Sequence, residues 1–242
     1  MSYGKLDARC FSGQLNIFPG SIEIQPNSCL LIEGYGNQQK FVESLNDDMP
    51  FLLESNSGEQ IELNLIEYNQ GGFRVNQSIL RPDKNLIPGD QYTLKFKNPE
   101  DLDSIPYSLQ SDEPPRSWTA QTGTSPTPIK LMIEPKFIQA ESKFFGCGPD
   151  ATAEFEFITD SNNSTLVKTE VMNITDGTTQ RYFIKSTNKD TLIVGHGMCA
   201  GAFRFKPNHE YQARFSIMND CNTQQDNWTD WVEFDNPFDA PE

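Results

Sequence analysis

Two stretches of this chain repeat one pattern. Residues 86–96 read LIPGDQYTLKF and residues 205–215 read FKPNHEYQARF, and both spell apolar-x-Pro-x-x-x-Tyr-x-apolar-x-Phe at a constant offset. The physical content of the pattern is local. A turn holding Pro88 or Pro207 feeds a strand whose apolar side chains fall on every second position. These are Tyr92, Leu94 and Phe96 in one copy, and Tyr211, Ala213 and Phe215 in the other. A chain that writes this twice must build two strands of the same kind, each entered through the same corner. Composition agrees with an all-β reading: only 36% of residues are hydrophobic, yet 11% are aromatic, including 17 Phe.

Further strands fall around these anchors. In the first half, Leu30 and Ile32 follow a turn at Pro26-Asn27, and residues 59–67 alternate over Ile61, Leu63 and Leu65. Asn69-Gln70-Gly71-Gly72 is a hairpin signal before a strand over 73–80, and Trp118 lies in a last strand. In the second half Ala153, Phe155 and Phe157 alternate with Glu154 and Glu156. Strands over 167–174 and 180–186 flank a hairpin turn at 175–178, and residues 228–234 close the sheet. Residues 122–128 (TGTSPTP) lack large apolar side chains and contain two prolines, the composition of an extended linker. The expected organisation is two tandem antiparallel β-sandwich domains, 1–127 and 128–242.

The repeated Pro-to-Tyr pattern resembles the tyrosine corner of immunoglobulin-like and fibronectin type III-like sandwiches. There a Tyr at the start of one strand bonds its hydroxyl back to the preceding connection. That resemblance makes Tyr92 and Tyr211 structural residues. It also implies disulfides. Cys199 would stand just before the fifth strand of the second sandwich and Cys221 just after the sixth, at the same pole. The implied pairs are therefore Cys199–Cys221 and Cys10–Cys29, with Cys147 left over. A second local likeness is Trp228-Thr229-Asp230-Trp231, which resembles the W-S-x-W-S element of class I cytokine receptors, where Trp and Arg side chains stack. Arg204 and Arg214 would be the cations. Val232 departs from the fifth position of that element, and the first half has two cysteines where that family has four. The plain alternative is a Trp-rich last strand covering its own sheet.

Five cysteines without a C-x-x-C pair argue against zinc ribbons and thioredoxin-like chemistry, and for intradomain disulfides in an oxidising compartment. The N-terminal MSYGKLDARC has no apolar signal core, so the expectation of a secreted, periplasmic or cell-surface protein rests on the cysteines. Sequons stand at Asn76, Asn162, Asn163, Asn173 and Asn227. A net charge of −15 repels nucleic acid and anionic lipid. No stretch is long and apolar enough to span a membrane, so neither nucleic-acid binding nor membrane insertion is expected.

Catalytic motifs are missing. Only His196 and His209 could serve a triad or a metal, and there is no G-x-S-x-G, H-E-x-x-H or phosphate loop. His196 and Cys199 could form a metal or thiolate pair only if Cys199 stays out of a disulfide. His209 lies inside the second repeat and reads as an exposed turn residue. Thirty-four acidic residues offer many carboxylate pairs for a hydrolase, and nothing marks one out. Residues 219–230 (NDCNTQQDNWTD) and Asp101-Leu-Asp103 could offer oxygens to calcium, but EF-hand spacing is missing, so no cofactor is expected. The reading is a non-catalytic binding or spacer protein for an unidentified protein or glycan. Its first candidate contact surface is Asp220, Asp226, Asp230 and Trp228. The alternative is a carbohydrate-binding accessory region, with Tyr35, Trp118 and Trp228 as sugar platforms.

Overall fold

The computed structural model describes residues 10, 13–98, 117–122, 128–160, 165–186, 190–218, 221 and 227–239. Apart from one short helix, α1 (Gln39–Ser44), its regular elements are strands. In the N-terminal half these are β1 (Gly13–Phe18), β2 (Glu23–Ile24), β3 (Leu30–Gly36), β4 (Phe51–Ser55), β5 (Gln60–Gln70), β6 (Val75–Pro82), β7 (Gln91–Phe96) and β8 (Ser117–Ala120). They form one eight-stranded sheet in the order β1-β3-β6-β5-β4-β7-β8-β2, antiparallel except for the β2–β8 pair.

The long strand β5 makes the sheet curl. Its first residues pair with β4, the rest with β6, and a bulge between Leu65 and Glu67 bends it. The two ends of the sheet thereby face each other across one core. Leu15 and Ile17 of β1 share it with Ile24 of β2 and Trp118 of β8, together with Ile32, Leu53, Ile61, Leu80 and Tyr92.

In the C-terminal half β9 (Lys136–Phe145), β10 (Gly148–Glu156) and β13 (Thr191–His196) form a three-stranded sheet in the order β13-β10-β9. β11 (Leu166–Asn173), β12 (Thr179–Lys185), β14 (Tyr211–Ile217) and β15 (Val232–Phe234) form the facing sheet, β12-β11-β14-β15. Phe155, Phe157, Phe203, Phe205, Phe215, Tyr211 and Phe234 fill the space between the two sheets. The hairpin expected at 175–178 joins β11 to β12, with Gly177 at φ 72°. The closing strand is shorter than the sequence suggests. Only Val232–Phe234 forms a strand; upstream of it Thr229 bonds to Phe215 of β14, and Trp228 and Trp231 lie over Arg214. Of the expected linker, residues 123–127 lie outside the described residues.

Both repeat tyrosines are buried, and each hydroxyl accepts a hydrogen bond from the backbone N–H five residues upstream. Ile87 N–H reaches Tyr92 Oη at 2.9 Å, and Lys206 N–H reaches Tyr211 Oη at 2.7 Å.

The cysteine pairing differs from the one the family resemblance implies. The same four cysteines are bonded, but across the halves: Cys10–Cys199 and Cys29–Cys221, with Cα atoms 5.6 and 5.2 Å apart. Cys147 belongs to neither. The resemblance treats each sandwich alone, whereas here the halves are packed face to edge. β12, the outer strand of its sheet, is set against the face of β3 and β6. The Gln77 amide caps its free backbone, donating to Phe183 C=O (2.6 Å) and accepting from Phe183 N–H (3.0 Å). Phe183 enters a third apolar cluster with Leu31, Ile79, Cys29 and Cys221. Cys199 also follows β13 instead of preceding it, which carries it toward the junction. There Phe73 and Gly201 pair backbone to backbone, and Gly72 N–H bonds to Ala202 C=O at 2.7 Å. Gly72 permits that approach, since a Cβ there would come within 2.6 Å of the Arg204 backbone.

Candidate functional site

The junction leaves part of the β1–β3–β6 face uncovered, and the strand register says what lies on it. Successive rows across the sheet are Phe18–Leu31–Ile79, Asn16–Glu33–Gln77 and Gln14–Tyr35–Val75. In the apolar row Ile79 packs with Phe183, while Phe18 and Leu31 also border open space. The polar row and the Tyr35 row line a cleft of about 340 Å³ whose far wall is Tyr182, Ile184, Lys185 and the segment from Ala200 to Ala202. Junctions of this kind, with mixed lining and few convergent polar groups, are where ligand sites concentrate.

Glu33 is the hub. Its Oε1 accepts from Asn16 Nδ2 (3.1 Å), and its Oε2 accepts from Gln77 Nε2 (3.3 Å) and the Tyr182 hydroxyl (3.1 Å). Gln14 Nε2 donates in turn to Asn16 Oδ1 at 3.0 Å. Burial, reinforced by the neighbouring Glu33 carboxylate, pushes the Tyr182 phenol well above its ordinary pKa, so it stays a donor. The result is a chain of interlocked amides, carboxylate and phenol from exposed Gln14 to buried Tyr182. Arg74 stacks over Tyr35 at 5.7 Å, and Lys185 over Phe18 at 5.8 Å.

A second constellation lies on the outer face of β11, β12 and β14. Arg214 lies over the rings of both Trp228 (4.7 Å) and Trp231 (4.5 Å), and Arg181 lies over Trp228 at 5.9 Å. Beneath them the buried Glu170 accepts from Arg181 Nε at 2.8 Å and Arg214 Nε at 2.6 Å. Burial alone would raise the Glu170 carboxyl, but the two guanidiniums outweigh it and hold it below the ordinary value. The sequence pointed to Arg214 but also to Arg204, which is not in the stack. Arg204 is held through its backbone by the Gln180 side chain. Arg181 was missed, and the signal that could have found it is its place directly opposite Glu170 on the paired strand.

The expected contact residues divide. Asp220 and Asp226 lie outside the described residues, as do Asp101 and Asp103. Asp230 is exposed beside the ladder, and Trp228 is half-buried within it. Among the sugar-platform candidates, Trp118 is 1% exposed and donates its indole N–H to Pro19 C=O, so it is core, while Tyr35 lines the cleft. His196 is buried against Phe73, and Cys199 is committed to a disulfide, so the free Cys199 thiol that a His–Cys pair requires is not there. His209 shares a hydrogen bond with Asn173 in the turn below Tyr211. Two sequons are buried on strands, Asn76 and Asn173, whereas Asn227 is exposed. Among the described residues no group of three or more His, Cys, Asp or Glu could hold a metal, and no helix is long and apolar enough to cross a membrane.

No protein-family model and no curated protein matches the chain. Solved structures give loose likenesses. Type I pullulanase of Bacillus subtilis, complexed with maltose, aligns at 11% identity and TM-score 0.25 over 86% of this chain and 24% of that one. Pullulanase of Anoxybacillus, complexed with maltotriose, aligns at 9% and 0.26 over 93% and 25%. Dimeric latent PorU of Porphyromonas gingivalis aligns at 12% and 0.31 over 91% and 20%. The chain spans a quarter or less of each of these proteins, and likenesses this loose say nothing about function.

Proposed function

We propose that the chain is a non-catalytic, exported binding protein whose ligand site is the cleft where its two halves meet. The observation that carries this reading is the polar row in that cleft. Glu33, Asn16, Gln77 and Tyr182 are fixed by one another before any ligand arrives, so little side-chain freedom is lost on binding. Two disulfides across the same junction hold its walls at a set distance. Among the described lining residues Glu33 is the only carboxylate, which favours binding over hydrolysis by a carboxylate pair.

We read the architecture as two sandwich domains, 1–127 and 128–242, of immunoglobulin-like or fibronectin type III-like kind. The tyrosine hydroxyl bonds in both halves and the three-plus-four strand division of the second support that reading. Export is supported by the disulfides. Unfolding in the absence of reductant should expose one thiol per chain; five would end the export reading. For the site itself, ligand screening by thermal shift on the oxidised chain should find a stabilising compound whose effect vanishes in Gln14→Trp and Asn16→Trp. A ligand that stabilises those variants equally would place binding elsewhere.

A further inference from the structure

We infer that the cleft selects a neutral, hydroxyl-rich ligand of the saccharide class; the inference rests on the binding reading above and names the ligand of that same site. The polar row alternates donors and acceptors along its length. Gln14 and Asn16 each present an amide with both capacities, Glu33 Oε1 accepts from Asn16 and has a further lone pair, and the Tyr182 hydroxyl donates to Oε2 with the Gln77 amide beside it. A hydroxyl donates and accepts at one atom, so a run of neighbouring hydroxyls can satisfy such a row without leaving either partner unpaired. A carboxylate or phosphate ligand cannot, because it has only acceptors to offer and would meet the Glu33 carboxylate inside a chain of net charge −15.

Apolar surface stands on both sides of the row. Phe18 lies next to Asn16 along β1, and Tyr35 lies next to Glu33 along β3, each two residues away on the same face. A pyranose ring has C–H faces for the aromatic surfaces and edge hydroxyls for the row between them. Along β1 the distance from Phe18 to Gln14 is about 14 Å, room for more than one ring. Lys185 lines the cleft and stacks over Phe18, and Arg74 stacks over Tyr35, so each ring keeps one face for a ligand at most.

The test is binding of the intact oxidised chain to neutral polysaccharides (α- and β-glucan, mannan, xylan) by affinity electrophoresis and calorimetry, with heparin and a mixed peptide library as the other arms. One neutral polysaccharide should bind, and Tyr35→Ala, Asn16→Ala and Glu33→Gln should each weaken it by roughly tenfold or more. Arg214→Ala, on the remote ladder, should change it less than twofold. Circular dichroism and thermal melting of each variant separate lost contacts from lost folding, and Gln14→Ala, at an exposed position, keeps the test open if the others unfold. Neutral saccharide binding that survives the cleft variants overturns the assignment of the site. Binding of peptide or heparin that depends on Asn16 and Glu33, without saccharide binding, overturns the ligand class and leaves the binding reading standing. Failure of all three arms to engage the cleft overturns both.

Discussion

Tyr92 sits among leucines and isoleucines, whereas Tyr211, with the same hydrogen bond to a backbone N–H, sits among phenylalanines. The surroundings follow the sheets. In the N-terminal half a single sheet curls on itself, and its interior is filled mostly by branched aliphatic side chains, with Trp118 of β8 set opposite Tyr92. In the C-terminal half two separate sheets must be bridged, a gap of about 10 Å. Long rings from Phe155, Phe215 and Phe234 span it, with small Ala151, Ala153 and Ala213 buried on the same strands as Phe155 and Phe215. The repeated Pro-to-Tyr pattern, with its hydroxyl-to-backbone bond, therefore fixes how one strand is entered. It does not fix how many sheets form or what fills the space between them.

The largest effect should come from the aromatic core. Phe155 touches Phe137, Phe215 and Phe234 with ring centres 5.1 to 5.9 Å apart, so Phe155→Ala should cost about 3–5 kcal/mol in urea unfolding. Leu53→Ala in the aliphatic core should fall lower, about 2–4 kcal/mol. Equal costs would erase the contrast between the two interiors.

Next come the disulfides, which make the halves answer to one another. Their loops close over separations of 189 and 192 residues, and removing either bridge should cost about 2–5 kcal/mol. The oxidised chain should unfold in one transition by fluorescence and circular dichroism. In Cys10→Ser/Cys29→Ser the transition should broaden or split as each core melts on its own. A single sharp transition in that variant would mean that the apolar junction around Phe183 couples the halves unaided.

The tyrosine hydroxyls should matter less, and equally. Tyr92→Phe and Tyr211→Phe each leave a backbone N–H without its acceptor, for a loss of about 1–3 kcal/mol. If only one of the pair responds, the two corners are alike in sequence but not in energetics.

The smallest effect should be seen at Glu170. Its folded carboxyl titrates below the unfolded one, so the stability it brings is present above about pH 4 and is lost as pH falls through the lower folded value. Glu170→Gln should lose roughly 1 kcal/mol at neutral pH, since its arginine partners are partly solvated. Under strong acid, variant and parent should melt alike. A constant gap from pH 2 to 7 would show that packing, and not charge, holds the Trp228–Arg214–Trp231 stack.

Much of the strand pattern was legible because alternation along a strand is local. Tyr211, Ala213 and Phe215, or Phe155 and Phe157, announce a buried face with no knowledge of what covers it. α1 escaped notice because its six residues bury only Val42, too little to write a period into the sequence. Of the candidate site, Tyr35 could be singled out as an aromatic, but nothing local ties it to Asn16, Glu33 or Tyr182. Those residues meet through sheet register and through a junction that spans more than a hundred positions.

The sequence by itself determined the all-β class, the two strands entered at Tyr92 and Tyr211, and the hairpin at Gly177, since each depends on a few neighbouring dihedrals and side chains. Only the tertiary structure decided which cysteines bond, where the halves touch and which polar groups share the cleft. Contacts between distant segments depend on the geometry of whole sheets, and five cysteines admit several pairings until that geometry brings Cys10 to Cys199 and Cys29 to Cys221.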